Sequence, residues 1–274
     1  MGADPQGQYT ADGYYIHNGS ILPAATVAAA VAGMDAVRCG EYDTGVPPRP
    51  SAWSPGDDPA LLCKIEKPQI ANRAIMELVK HPALGAAVAA VSGAEWIQVW
   101  WVQLLYKPPA QAAAQAGVNI GWHQDRNYWT TWEEGSELFT AWVALGEVGA
   151  DAGPMQFVRG SHQWGLLEGG DFYGQDLAAQ KRGLALPEEA LWEEVAATMP
   201  RGGASIHHCL TVHGSGPNQS NEPRRSFAIH MRSANSAPMS GKREGLTAFI
   251  DDPEYCPIIW NETTVLNMTN HCTS

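Results

Sequence analysis

The feature that most constrains the fold is a change in hydrophobic pattern about one third of the way along the chain. Before it, residues 23–38 and 69–91 carry apolar side chains at helical spacing, and the second stretch is broken into two short helices at His81. After it, residues 95–106 are EWIQVWWVQLLY, a composition that favours a long buried strand, and two prolines end it. Helices followed by strands predict an α+β chain.

Further runs after this segment have the composition of short strands, and each is bounded by Gly, Pro, Asp or Asn. They are residues 118–122, 137–145, 154–158, 203–208 and 226–233. Such a series predicts a sandwich or a barrel. Residues 164–199 interrupt it with a polar, Gly-rich stretch that ends in the helical pattern PEEALWEEVAA. We expect this stretch, called the insertion below, to cover the mouth of the barrel and to order on substrate binding; the alternative is a surface excursion with no role.

The composition excludes several classes of protein. Of the 274 residues, 45% are hydrophobic and 17% are charged, so the chain can bury a sizeable core and is not disordered as a whole. Its 17 Lys and Arg against 29 Asp and Glu give a formal net charge of −12, which repels phosphate backbones and anionic lipids. We therefore expect a small-molecule substrate, with no nucleic acid and no membrane as partner; the composition does not decide the oligomeric state.

The domain organisation and the cysteines give two further expectations. We predict one domain over residues 1–274, with a helical part at 1–93, a barrel at 94–235 and a C-terminal extension at 236–274. None of the five cysteines belongs to a CxxC pair, and the sequence opens without a basic and apolar signal segment. These features indicate reduced thiols and predict a cytoplasmic protein.

The motif with the most chemical content is Trp122-His123-Gln124-Asp125. On a strand, His123 and Asp125 leave the same face, so an imidazole nitrogen and a carboxylate oxygen can converge on one ion. His213 lies 213 − 123 = 90 residues downstream, where another strand runs into a Gly-rich turn. Two histidines and one carboxylate form the facial triad of non-haem Fe(II) oxygenases, whereas structural zinc sites have four protein ligands. A Zn²⁺-dependent hydrolase with the same triad is the alternative.

Three blocks of sequence carry a family resemblance. They are YKPP at 106–109 with WHQD at 122–125; TAWVAL at 140–145 with GPMQFV at 153–158 and GSH at 160–162; and HGSGPN at 213–218 with Arg224. In this order the blocks resemble the phytanoyl-CoA dioxygenase-like branch of the Fe(II)- and 2-oxoglutarate-dependent oxygenases. The resemblance extends from about Tyr9 to Arg232, weakly in the helices and strongly in the blocks.

This resemblance implies a fold, a reaction and a set of site residues. The fold is a double-stranded β-helix, a cupin-like jelly-roll barrel with the N-terminal helices packed on its outside. The reaction is that of a dioxygenase, an oxidoreductase that hydroxylates a small organic metabolite and releases succinate and CO2. The metal is Fe(II) on His123, Asp125 and His213, and the cosubstrates are O2 and 2-oxoglutarate. The residues that would bind 2-oxoglutarate are Arg224, Ser215, Trp142 and Gln103.

Arg224 lies eleven residues after His213, where the family pattern places the arginine that binds the distal carboxylate of 2-oxoglutarate. A guanidinium suits this task because it is always charged and its fork matches a carboxylate. Arg225 is adjacent, but on a strand its side chain leaves the opposite face. We expect only Arg224 to enter the barrel.

Two departures bear on the reaction. Gly202-Gly203 stands where the family has Gly-Asp, which we interpret as a turn variation. Related halogenases carry Ala or Gly at the position of Asp125, so the carboxylate favours hydroxylation or another oxidation. The alternative function is a non-catalytic jelly-roll protein that binds a small molecule and keeps the metal site; the intact ligands and Arg224 count against it.

Candidates for substrate contact follow directly after the first two ligands: Asn127, Tyr128 and Trp129. Aromatic residues in this region could form a cage for a cationic group. Alternatively, Arg126 and Arg159 could hold an anionic substrate. The tryptophans of the long strand, Trp96, Trp100 and Trp101, are expected to pack in the barrel wall.

Overall fold

The structure is a computed structural model that describes residues 4–110 and 118–263. Its helices are α1 (Pro5–Asp12), α2 (Ala24–Arg38), α3 (Arg73–Val79), α4 (Pro82–Ser92) and α5 (Leu177–Gly183). Its strands are β1 (Tyr14–Ile16), β2 (Cys63–Glu66), β3 (Trp96–Lys107), β4 (Ile120–His123), β5 (Leu138–Ala144), β6 (Met155–Val158), β7 (Glu194–Ala196), β8 (Ala204–His208), β9 (His213–Ser215), β10 (Arg224–Ser233) and β11 (Ile258–Asn261).

The strands form two antiparallel sheets. The larger sheet has the order β1-β8-β5-β10-β3-β11, with β2 also paired to β3, and the smaller sheet has the order β4-β9-β6-β7. The inner faces of the two sheets pack together, with Leu105, Trp142 and Ala228 of the large sheet in one buried cluster with Met155 and Phe157 of the small one. This arrangement confirms the jelly-roll fold, although the two sheets do not close into one continuous barrel.

The N-terminal helices cover the outer face of the large sheet, as predicted. Helix α2 buries Val27, Met34 and Val37 in the same apolar cluster that holds Ile97 of β3 and Phe227 of β10. Because alternate residues of a strand leave opposite faces, this outer cluster and the inner face of the sheet use different residues of the same strands.

The segment Arg73–Ser92 is apolar and long enough, by composition, to cross a membrane: 20 residues with a mean hydropathy of 1.4. In the structure it comprises α3 and α4, with His81 as the N-cap of the second helix. Side chains such as Leu78 and Val88 are fully buried in the outer cluster, as expected for core helices. The absence of a membrane partner remains a prediction.

One predicted element is wrong. The pattern PEEALWEEVAA predicted a helix, but its last part forms β7, in which Val195 pairs with Phe157 of β6. Pairing with the edge of the small sheet overrides the helix propensity of this stretch, which is a weak preference by comparison. The helix of the insertion is instead α5, whose N-cap Asp176 accepts a hydrogen bond from the backbone N–H of Ala179.

Three strands at the margins of the large sheet had not been predicted: β1, β2 and β11. They are only three or four residues long, and too short for a periodic pattern to show. The four cysteines in the described residues, among them Cys63 and Cys256, are free thiols. The domain limits, which include residues 264–274 outside the described range, and the cytoplasmic location remain predictions.

Candidate active site

The two candidate histidines face each other because the small sheet pairs them. His123 ends β4, His213 begins β9, and the two residues are direct cross-strand partners with ring centroids 4.1 Å apart. Asp125 comes two residues after His123, at the first position of a 3₁₀ turn, Asp125–Tyr128. The prediction treated both residues as part of one strand. The structure instead ends β4 at His123, and the turn brings the carboxylate back towards both rings.

The candidate ligand atoms converge at one buried point. Asp125 Oδ1 lies 3.9 Å from His123 Nε2 and 3.8 Å from His213 Nε2. One ligand atom from each of the three residues lies within 4.8 Å of the other two. All three residues are buried. This geometry suits a single ion with three protein ligands on one side.

The hydrogen bonds of the two histidines fix their tautomers. His123 Nδ1 lies 2.8 Å from the carbonyl oxygen of Gly121, and His213 Nδ1 lies 2.9 Å from that of Thr211. Since a carbonyl oxygen only accepts, each Nδ1 carries the proton and donates it. Each Nε2 therefore directs a lone pair to the point of convergence. Backbone acceptors of this kind orient histidine ligands in metal sites.

Burial lowers the pKa of His123 and lowers that of His213 well below its usual value. The neighbouring imidazoles lower the pKa of His213 further. Both rings are therefore neutral at pH 7, which is the form that binds a metal.

The second oxygen of Asp125 has its own partners. Thr140 donates a 2.8 Å hydrogen bond to Asp125 Oδ2, and His207 Nε2 lies 3.3 Å from the same oxygen. His230 Nδ1 in turn donates to Thr140 Oγ1 over 2.8 Å. This network stabilises the ionised carboxylate and leaves Oδ1 directed at the histidines. His207 and His230 had been expected to be core histidines, and Thr140 had only been part of a family block; alternation along β8, β10 and β5 places all three on the inner face.

A cavity on one side of this cluster contains the residues expected to bind 2-oxoglutarate: Gln103, Trp142, Ser215 and Arg224. The guanidinium carbon of Arg224 lies 5.3 Å from the centroid of the Trp142 ring, and its Nη1 donates to the carbonyl of Gly153. Its Nε is buried and has no partner among the described residues. Burial lowers the pKa of Arg224 to about 10, so the side chain remains a cation at pH 7.

The two adjacent arginines leave opposite faces of β10. Arg224 is 4% exposed and lines the cavity between the two sheets. Arg225 points to the helices, where its Nη2 lies 3.4 Å from Asp35 Oδ2 of α2. The alternation predicted from the sequence therefore holds at this position.

A second buried cation beside Arg224 had not been predicted. Lys107 is the cross-strand partner of Arg224, and its Nζ donates to Ser215 Oγ and to the carbonyl of Gly216, both over 2.7 Å. Among the described residues, no carboxylate lies within 4 Å of either cation. Burial, with a smaller contribution from Arg224, lowers the pKa of Lys107 well below its usual value. The sequence feature that could have revealed Lys107 was its position in the YKPP motif, at the end of a strand that neighbours β10.

A second cavity, with a volume of about 280 Å³, also adjoins the cluster, and its lining shares residues such as His123, Asp125 and Phe172 with the first. Its lining includes Tyr128 and Trp129, two of the candidates for substrate contact. It also includes residues that were not among those candidates: Lys64, Glu66, Trp100, Trp101, Phe172 and Tyr173. Asn127 was expected here, but it lines a separate small pocket with Leu167 and Gly170. Phe172 and Tyr173 belong to the insertion, which therefore borders the mouth; its ordering on substrate binding remains a prediction.

A β-bulge explains why two consecutive tryptophans line this cavity. Along β3, Trp101 pairs with His230 and Val99 pairs with Met231, so Trp100 is an extra residue in the ladder. A bulge changes the face from which the following side chains leave the strand and is common next to active sites. The expectation that Trp100 and Trp101 only pack in the wall missed this irregularity.

The two arginines considered for an anionic substrate already have protein partners. Arg126 donates to the backbone carbonyls of Trp129 and Trp132. Arg159 pairs with Asp12 and Glu193 at the surface. Neither belongs to the lining of the two cavities.

Comparisons with known proteins agree with this geometry. The sequence matches the phytanoyl-CoA dioxygenase (PhyH) family over residues 9–226. It is 26% identical over 193 residues to a probable alpha-ketoglutarate-dependent hypophosphite dioxygenase of Stutzerimonas stutzeri. That match covers 68% of this chain but 62% of the relative, so it spans less than two thirds of the relative's length.

Solved structures show the same fold. One is the epimerase SnoN in complex with Fe³⁺, alpha-ketoglutarate and nogalamycin RO, with 25% identity and a TM-score of 0.67 over 90% of this chain and 88% of that one. Another is SnoK, a non-haem alpha-ketoglutarate-dependent carbocyclase from nogalamycin biosynthesis, with 23% identity and a TM-score of 0.68 over 90% of each chain. The family match over most of the sequence, the jelly-roll fold and the buried His-Asp-His cluster together establish that this chain belongs to the phytanoyl-CoA dioxygenase (PhyH) family of 2-oxoglutarate-dependent oxygenases.

Proposed function

We propose that this protein hydroxylates a small organic molecule with Fe(II) bound by His123, Asp125 and His213. The reaction is R–H + 2-oxoglutarate + O2 → R–OH + succinate + CO2, in which one oxygen atom enters the alcohol and the other enters succinate. The observation that carries the proposal is the convergence of two imidazole lone pairs and one carboxylate oxygen at a buried point between two cavities.

The residues fit the metal. Both histidines are neutral and held by backbone carbonyls, and Asp125 has one oxygen occupied by Thr140 and His207 and one directed inward. Two imidazoles and one carboxylate leave three positions of an octahedron for 2-oxoglutarate and O2. The iron supplies the activation of O2 that couples oxidation of the substrate to loss of CO2 from 2-oxoglutarate.

The cavity beside Arg224 suits the distal carboxylate of 2-oxoglutarate. Two buried cations, Arg224 and Lys107, have no carboxylate partner there among residues 4–110 and 118–263, and an anionic ligand would relieve this unpaired charge. Arg224 would bind the carboxylate directly. Ser215 Oγ accepts from Lys107, so its own proton is free to be donated to the same carboxylate.

The second cavity would hold the substrate, because its lining includes His123 and Asp125 but not Arg224. Its aromatic lining excludes water from the reacting carbon. Asp125 argues against a halogenase, because it occupies the position that a halide would take. Epimerisation or ring closure, the reactions of SnoN and SnoK, would use the same site residues, and product analysis distinguishes these outcomes from hydroxylation.

A succinate-release screen tests the proposal. The full chain is incubated with Fe(II), 2-oxoglutarate and O2 in the presence of pooled metabolites, with Zn²⁺ replacing Fe(II) as the control. We expect slow succinate release without a substrate and faster release with the correct pool, only with Fe(II). If no succinate is released with either metal, the result would support the non-catalytic binding protein. Hydrolysis of a substrate with Zn²⁺ would support the hydrolase.

A further inference from the structure

The lining of the second cavity is unusually rich in flat rings. Six aromatic side chains from three separate segments contribute to it: Trp100 and Trp101 of β3, Tyr128 and Trp129 after the metal cluster, and Phe172 and Tyr173 of the insertion. Of the residues that the structure describes, Leu246 is the only aliphatic one in this lining. A cavity for an alkyl chain would be walled by Leu, Ile and Val, whereas walls of this kind favour stacked or edge-on contacts with another ring.

Two of these rings are exposed at the mouth. Tyr128 is 44% exposed and Tyr173 is 63% exposed, although both are large side chains with apolar faces. Tyr128 also accepts a 2.8 Å hydrogen bond from the backbone N–H of Phe172, which ties the two sides of the mouth together. A flat ligand between these rings would remove apolar surface from water on both sides, and this burial favours binding.

The charges in the cavity discriminate against a cationic ligand. Glu66 already has three partners: it forms a salt bridge with Lys64 at 3.2 Å, and it accepts hydrogen bonds from Gln103 at 3.4 Å and from the indole N–H of Trp101 at 2.5 Å. Lys64 Nζ also lies 4.6 Å from the centroid of the Phe172 ring and 5.8 Å from that of Tyr173. The place that a cation would take over these rings is therefore filled by the protein's own ammonium group, which repels a second cation.

The same ammonium group offers hydrogen bonds to a ligand. Lys64 has three N–H groups, and Glu66 is the only carboxylate within 4 Å of it among residues 4–110 and 118–263. Lys64 Nζ lies 3.2 Å from Glu66 Oε1 and 4.6 Å from the centroid of the Phe172 ring. An oxygen acceptor on a bound ring would complete the hydrogen bonding of its N–H groups.

We infer that the substrate is an oxygen-bearing aromatic molecule: a flat ring system without positive charge, held between the Trp101 and Tyr173 sides of the cavity, with a carbonyl or hydroxyl oxygen on Lys64. This inference rests on the proposed function, since it takes the cavity to be the substrate site. The carbon to be oxidised would lie on a substituent of the ring that reaches the inner end of the cavity, beside His123 and Asp125.

Binding of a matched set of probes tests this substrate class without turnover. The first probe is 2-acetylnaphthalene, which has the rings and the carbonyl. Two others each change one property: 2-ethylnaphthalene lacks the oxygen, and 2-acetyldecalin lacks the aromatic faces. The last, (2-naphthylmethyl)trimethylammonium, also lacks the oxygen and carries a positive charge, so its matched reference is 2-ethylnaphthalene. Dissociation constants are measured by equilibrium dialysis of the full chain without oxygen, in the presence of Fe(II) and 2-oxoglutarate.

We expect 2-acetylnaphthalene to bind about tenfold more tightly than the saturated and the cationic probes, and about fivefold more tightly than 2-ethylnaphthalene. Equal or tighter binding of the saturated or the cationic probe would overturn the inference, and so would the absence of binding by every naphthalene.

Variants locate the binding. Tyr173→Ala should raise the dissociation constant of 2-acetylnaphthalene about fivefold to tenfold. The risk to folding is small because the side chain is mostly exposed. Lys64→Met should abolish the preference for the carbonyl while the naphthalene ring still binds. Tyr42 lies beside a different cavity, so Tyr42→Ala is the control and should leave the binding of all four probes unchanged. Unchanged binding in both Tyr173→Ala and Lys64→Met would overturn the inference.

The two proposals fail in different ways. If 2-oxoglutarate is consumed with Fe(II) but no naphthalene binds, the substrate class is wrong and the oxygenase proposal stands. If 2-acetylnaphthalene binds as expected but no succinate forms with any substrate pool, the oxygenase proposal is wrong and the aromatic-binding cavity stands.

Discussion

The two cavities beside the metal cluster are built in different ways. The cavity with Arg224 is formed by regular strands, in which alternate residues of β5 and β10 point inward: Thr140 and Trp142 on one, and Arg224, Ala228 and His230 on the other. The cavity with Trp101 is formed by the bulge of β3, the turn after Asp125 and the insertion. The side chains that line the Arg224 cavity follow the two-residue period of a strand, whereas those that line the Trp101 cavity do not.

This difference separates what the protein shares with its family from what is its own. A ligand common to the family, 2-oxoglutarate, would bind where strand alternation fixes the side chains. A substrate particular to this chain would bind where a bulge and a long connection place them. Changes on the two sides should therefore affect different constants: the KM for 2-oxoglutarate on one side, and substrate binding on the other.

The largest effect should come from the group that both cavities share. Asp125→Ala removes the only carboxylate of the cluster, and we expect succinate formation to fall roughly a thousandfold or more. Anaerobic Fe(II) titration, read as binding rather than turnover, should show weakened metal affinity. Glu147→Ala removes an exposed carboxylate and should leave both succinate formation and Fe(II) affinity unchanged. More than a tenth of the wild-type activity in Asp125→Ala would contradict the assignment of Asp125.

The next effect separates the two adjacent arginines. Arg224→Ala should raise the KM for 2-oxoglutarate roughly tenfold to a hundredfold, because the distal carboxylate loses a charge-assisted hydrogen bond. Arg224→Lys should rescue this only in part, since an ammonium group lacks the guanidinium fork. Arg225→Ala should leave the KM nearly unchanged. A larger penalty in Arg225→Ala, measured by succinate formation against 2-oxoglutarate concentration, would show that the wrong arginine was assigned.

Lys107→Met should raise the KM for 2-oxoglutarate about fivefold to tenfold with little change in kcat, because Lys107 acts through Ser215 and through its charge. The pH dependence gives a second readout. Since the pKa of Lys107 is well below its usual value, the cation is present at low pH and is lost as the pH rises. The wild-type KM should therefore increase towards alkaline pH, and this increase should be absent in Lys107→Met.

The control for this prediction is Lys80→Met, at an exposed lysine. It should keep both the wild-type KM and its increase with pH. The same alkaline increase in Lys107→Met would show that another group titrates, and it would remove Lys107 from the cosubstrate site.

The smallest effect should be confined to the other cavity. Tyr128→Phe removes the acceptor of the Phe172 N–H, a loss of about 1 kcal/mol. We expect faster hydrogen exchange at the amides around Phe172 and an unchanged KM for 2-oxoglutarate. Tyr42→Phe, far from the mouth, is the comparison. A changed KM would mean that residues lining both cavities, such as Phe172 and Gln103, couple the two sites.

Much of the first cavity could be predicted from the sequence, and little of the second. The offset from His213 and the alternation of a strand were enough to separate Arg224 from Arg225. Lys107 was missed because its proximity to Arg224 depends on the register between β3 and β10, which no single segment encodes.

The second cavity resisted prediction for physical reasons. Trp100 and Trp101 line it because of a bulge, and a bulge leaves no mark on the apolar pattern of a strand. Asn127 was assigned by its proximity in sequence to Asp125, but the 3₁₀ turn rotates it away from Tyr128. Strand β7 was predicted as a helix because its pairing with β6 is a tertiary contact.

The edge of β3 that faces away from β10 has a consequence for self-association. At twelve residues, β3 is the longest strand among the described residues. The edge of so long a strand is a template on which another chain can add a strand. Here β2 covers one end of that edge and β11 covers the other. Between them, Lys67 donates its backbone N–H to the carbonyl of Val102 and its ammonium group to that of Trp100. Segments far apart in sequence thus shield the strand that carries the cavity tryptophans, so damage at either one would expose it to aggregation.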